Sequence, residues 1–121
     1  MDISTLNEIE GSRVICLFLA QNENPKKPHE QLGFYTAQSA FEEIGKLFQR
    51  QENTIKNERD AFDFYTDSPR VGWKNSLKPS LQFIWKNYGT LSRSELLDMS
   101  LNILEKKRSN IRVAQPNIFD L

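Results

Sequence analysis

Apolar residues recur at helical spacing twice between Thr36 and Tyr65, and residues 49–52 separate the two runs with nothing but polar side chains. In the first run Ala37, Ala40, Phe41, Ile44, Leu47 and Phe48 fall on one face, opposite Glu42, Glu43 and Lys46, with Thr36 placed to cap the helix. In the second, residues 54–65, the period passes through Ile55, Ala61, Phe62 and Tyr65, with Asn53 as the expected cap. Two short amphipathic helices so close in sequence must pack on each other and on a shared third surface. The chain's other apolar runs read mainly as helices and can supply that surface.

Those further helices are readable. Residues 13–21 are apolar at almost every position of the turn, which predicts a buried helix after Gly11-Ser12; Asp2 and Ser4 offer caps for a short turn before it. Residues 22–31 hold Pro25, Pro28, Lys26 and Lys27 and read as an exposed loop that includes His29, after which Leu32, Phe34 and Tyr35 re-enter the core. Pro79 suits a first helical position, and Leu81, Phe83, Ile84, Trp85 and Tyr88 follow up to Gly89. Ser92 and Glu95 stand at capping-box spacing ahead of Leu96, Leu97, Met99, Leu101, Ile103 and Leu104, a helix expected to end near Lys107. The expected fold is all-α, a bundle of about five helices containing a helix-turn-helix. A short hairpin or loop follows the second helix of that pair at residues 70–78. At 121 residues this is one domain, expected at 1–108, with a tail over 109–121 that is either disordered or docks through Ile118, Phe119 and Leu121.

Composition removes several chemistries. One Cys and one His cannot build a zinc centre or a disulfide framework, and Cys16 sits in an apolar run where a packing thiol is expected. That run is too short to span a bilayer, so a cytoplasmic protein with no membrane contact and no metal or other cofactor is expected. Arg59 with Asp60 and Asp63 reads as solvated ion pairs on a helix and not as a catalytic site, and no enzyme activity is expected. The formal charge is zero, from 16 basic and 16 acidic residues, yet the halves differ: residues 1–67 carry 12 acids and 7 bases, residues 68–121 carry 4 acids and 9 bases. Residues 68–94 contain no acid at all, with Arg70, Lys74, Lys78, Lys86 and Arg93 interleaved with Trp73, Trp85 and Tyr88.

The run from Glu43 to Asn57 resembles the two-helix core of bacterial transcription regulators. In that family a small residue stands where Gly45 is, because the second helix crosses closely there, and Ile44, Leu47 and Ile55 would pack between the helices. The family usually has Gly where this chain has Gln49, which implies a somewhat different turn here. Residues 37–79, including the stretch from Asn53 to Asp63 and then Arg70-Val71-Gly72-Trp73-Lys74-Asn75, resemble a small helical domain at the N-terminus of some bacterial restriction endonucleases and McrB-like restriction proteins. Ala61 stands here in place of that family's usual acid and Val71 in place of its usual base.

These likenesses imply duplex-DNA binding in a restriction or phage-defence system. Gln51, Thr54, Lys56, Asn57 and Arg59 would lie on the reading helix, with Arg70, Trp73, Lys74 and Lys78 beside the phosphates. Glu52, Glu58, Asp60 and Asp63 are the acids that oppose this reading. The partners it allows are duplex DNA, a nuclease or other protein subunit, and a second copy in a homodimer. The alternative is a protein-interaction or regulatory subunit, including a phage-encoded inhibitor, with no direct DNA contact.

Overall fold

The computed structural model describes residues 3, 5–21, 27–63 and 77–114. These form six helices and no strand: α1 (Glu8–Leu19), α2 (Pro28–Gln31), α3 (Ala37–Phe48), α4 (Glu52–Asp63), α5 (Pro79–Tyr88) and α6 (Arg93–Ala114). The all-α class follows from the periodicity. The expected caps at Asp2 and Ser4, the hairpin or loop over 70–76 and the tail contacts of Ile118, Phe119 and Leu121 lie outside the described residues.

α1 is the axis of the bundle. Its side chains from Val14 to Leu19 are all buried, and a helix apolar all round needs neighbours on every side. α2, α3, α4, α5 and α6 all pack against it. The helix begins five residues earlier than its apolar run, because Asn7 caps it reciprocally with Glu10: the Glu10 amide donates to Asn7 Oδ1 (2.8 Å) and the Asn7 amide to Glu10 Oε1 (2.9 Å). Gly11 is therefore inside the helix, not before it. A Cβ there would lie 3.1 Å from Ile103 Cγ2, so the absent side chain lets α6 settle against α1.

The other elements position the α3–α4 pair. Thr36 caps α3 as expected, its partner being Ser39. Residues 28–31, expected to belong to an exposed loop, instead form α2, with Pro28 buried and His29 partly buried. Gly33, at φ +90°, takes the chain out of α2 through a conformation that favours glycine. Gly89 closes α5 for another reason: a Cβ would meet the Trp85 ring at 2.8 Å, and Trp85 itself is half-buried against the core. The Ser92–Glu95 box forms, and α6 then runs through Lys107 to Ala114, seven residues beyond its expected end. Leu96, Met99, Ile103 and Leu104 face inward from α6 while Leu101 points to solvent.

Ser100 lies on the buried stripe of α6, and its hydroxyl has no hydrogen-bond partner among the described residues. A buried hydroxyl without a partner costs roughly 1–3 kcal/mol of desolvation, and Ala is the better helix former. Ser100→Ala is expected to stabilise the fold by about 1 kcal/mol in urea denaturation. A loss of stability would mean that the hydroxyl bonds within the helix.

Candidate nucleic-acid interface

α3 and α4 are joined by a three-residue turn, Gln49-Arg50-Gln51. The Arg50 amide donates to the Gly45 carbonyl (2.8 Å) and the Gln49 amide to the Lys46 carbonyl (3.4 Å), closing α3 in a Schellman arrangement. Gln49 sits at φ 56°, ψ 45°, the left-handed conformation usual for glycine. A non-glycine residue there costs about 1 kcal/mol. Gln49→Gly is expected to raise stability by roughly that amount, or about 4 °C in melting temperature. No change, or a lower melting temperature, would show that the Gln49 side chain contributes more than the strain costs.

Gly45 is needed where the turn folds back. A Cβ at that position would stand 2.7 Å from the Arg50 carbonyl oxygen and 3.3 Å from the Glu52 amide nitrogen. The close approach is thus made by the turn and the first residue of α4. α4 itself starts at Glu52, two residues before the expected start, with the Gln51 carbonyl accepting from the Thr54 (3.0 Å) and Ile55 (3.2 Å) amides; Asn53 is already helical and is not the cap.

Behind the turn lies a charged cluster. Arg50 grips Glu58 with two parallel bonds, Nη1 to Oε1 at 2.6 Å and Nη2 to Oε2 at 2.8 Å. Arg13 of α1 donates from Nε to the same Oε2 at 3.1 Å. Arg50 Nη1 also donates to Ser12 Oγ (2.9 Å), and Ser12 in turn donates to the Ile9 carbonyl (2.7 Å). The hydrogen bond from Arg50 to Glu58 pushes the Arg50 pKa further up. The Cys16 thiol donates to the Ile55 carbonyl at 3.5 Å, and burial drives its pKa well above the ordinary thiol value, so it packs α1 against α4 instead of presenting a thiolate. Turn, α4 and α1 are therefore tied together from the inner side.

The outer side of α4 is open. Gln51, Asn53, Lys56 and Asn57 are exposed and Thr54 is half-buried. Lys56 has no ion pair among the described residues. Glu52, also exposed, accepts from Gln38 Nε2 at 2.6 Å, and the same amide donates to exposed Glu42 of α3 at 3.3 Å. Arg59 is placed differently from the sequence expectation. Its side chain is 11% exposed, its guanidinium lies 4.9 Å from the Phe41 ring centroid, and it pairs with Asp60 (2.7 Å) and Asp63 (3.9 Å). Those pairs are packed against the fold and not solvated. Lys78 is exposed at the N-cap of α5, and Arg70, Trp73 and Lys74 lie outside the described residues. Gln51, Lys56 and Asn57 are thus brought together with Asn53, whereas Arg59 is turned away.

The inner cluster went unread in the sequence, although it left a trace. Glu58 and Arg59 fall between Ile55 and Phe62 on the buried stripe of α4, where a charged residue has to find a partner. No group of three or more Asp, Glu, His or Cys side chains placed to hold a metal ion occurs among the described residues. Comparison of the chain with protein-family models, curated proteins and solved structures gives no match. No helix among the described residues is long and apolar enough to cross a membrane.

Proposed function

We propose that this chain binds duplex DNA through the first two turns of α4, with α3 and α4 acting as a helix-turn-helix. The observation that carries the reading is the row of exposed Gln51, Asn53, Lys56 and Asn57 at the N-terminal end of a helix whose inner side is held by Arg50, Glu58 and Arg13. A helix read in the major groove needs both properties: side chains free to reach base edges and a backbone that does not yield. Asn and Gln match the donor and acceptor pair of adenine, and Lys the acceptors of guanine. The partial positive charge at the start of α4 adds attraction for nearby phosphates. Lys78, with Arg70 and Lys74, is the proposed phosphate-holding set.

The resemblance of residues 37–79 to restriction proteins is the ground for proposing a bacterial restriction or phage-defence setting for this binding. A chain with no net charge has little sequence-independent attraction for DNA, so binding should be selective. Repeated selection from duplexes carrying a randomised central segment tests this. An enriched motif containing A·T and G·C positions is expected, and an unchanged pool after several rounds would remove the proposal.

One observation favours a second reading. Glu42 and Glu52 are exposed beside the same turn, where they repel phosphates and suit a basic protein surface. In that reading the chain is a protein-interaction subunit, and the randomised duplexes yield no motif even at low salt.

A further inference from the structure

A groove of about 310 Å³ opens between the start of α1, the end of α3 and the second half of α6, away from the outer side of α4. Its floor is apolar, formed by Leu6, Phe48 and Ile103 with the backbone of Gly11. The volume is at the lower end for ligand sites, which begin at roughly 300 Å³, and has room for one or two side chains.

The rim is charged unevenly. Glu8 is neutralised by Lys107, Nζ to Oε1 at 2.6 Å, and the same ammonium stands 5.7 Å from the Phe48 ring centroid as a wall of the groove. Lys106 is exposed and has no ion pair among the described residues, so the rim keeps one unbalanced positive charge. Asn110 lies one turn further along α6 and offers amide hydrogen bonds at the same edge.

From this arrangement we infer that the groove receives a short peptide segment of another protein, one that places one or two apolar side chains on the floor beside a carboxylate held by Lys106. The apolar floor gives the segment its burial, and the lysine sets its orientation. A nucleic-acid strand matches the lysine but has no aliphatic side chain for Leu6 and Ile103. Residues 118–121 of this chain, Ile118-Phe119-Asp120-Leu121, have the composition such a segment needs, so their occupancy is one outcome to be separated.

The test is panning of a displayed random 12-residue peptide library on the full chain, followed by fluorescence anisotropy with the best enriched peptide. Enriched peptides are expected to share an apolar pair next to Asp or Glu. Lys106→Glu should weaken binding at least tenfold, and the same peptide with its acid changed to Lys should recover binding to that variant. Lys56→Glu should leave peptide affinity unchanged, which separates this site from the DNA reading. Absence of enrichment, equal affinity for Lys106→Glu, or displacement of the peptide by duplex DNA would overturn the inference. A tenfold gain in affinity on Phe119→Asp would also overturn it, by assigning the groove to the chain's own segment.

Discussion

Glu58→Ala is expected to destabilise the fold by about 3 kcal/mol, lowering the melting temperature by roughly 10 °C, because it strips a shared carboxylate from two arginines. Arg13, Arg50 and Glu58 are only 11–20% exposed, so water can replace the lost partner only in part. The pair also does more than bind locally. Arg50 sits in the turn, Glu58 two helical turns along α4 and Arg13 on α1, so one carboxylate fixes the angle at which α4 leaves α3. Glu58→Gln keeps the shape and gives up the charge, and is expected to lose about half as much. A cycle combining Glu58→Ala with Arg50→Ala should give a coupling above about 1.5 kcal/mol. If Glu58→Ala stays within roughly 0.5 kcal/mol of the parent chain, the cluster behaves as an ordinary surface pair and cannot be what holds α4 rigid.

How much of this could be read from the residues depends on the range of the interaction. α3 was readable from Thr36 to Phe48 because a cap and a six-residue apolar stripe are both local signals. α1 was placed too late because Gly11 looks like a boundary, and its reason for being glycine is Ile103, 92 positions downstream. α6 was ended too early because Lys106-Lys107-Arg108 is a good C-terminal charge pattern, yet Lys107 is engaged with Glu8 across the bundle while the helix continues. In the candidate site, Gln51, Lys56 and Asn57 are exposed, as polar side chains off the apolar stripe are, although Gln51 lies in the turn and not on α4. Arg59 is not, because an arginine one residue after Glu58 lies on the inner stripe and is drawn to Phe41 and two aspartates. The groove depends on Leu6 and Ile103 lining one cavity from opposite ends of the sequence, which no local pattern announces.

Lys56→Glu is expected to reduce affinity for a selected duplex by about a hundredfold while leaving the melting temperature within roughly 1 °C. Lys56 is exposed and free of ion pairs among the described residues, so its replacement disturbs no packing. Loss of one well-made base contact costs about 1–3 kcal/mol, and the new carboxylate adds repulsion from phosphates; about 2.8 kcal/mol is the hundredfold change. Asn57→Ala removes a contact without adding charge and should relax preference at one base position more than it lowers overall affinity. Lys78→Ala, in contrast, should weaken all duplexes alike and reduce the salt slope by about 1. A Lys56→Glu chain that binds like the parent would move the contact surface away from α4.

The central claim is that the exposed start of α4 is the surface that meets DNA. Amide chemical-shift mapping of the ¹⁵N-labelled chain during titration with a selected duplex tests it most directly. The expected result is a cluster of large shifts at residues 51–57 and at Lys78, with the floor of the α1–α6 groove little changed. Shifts centred on Lys106 and Asn110, or spread evenly along α6 with residues 51–57 unmoved, would contradict the account.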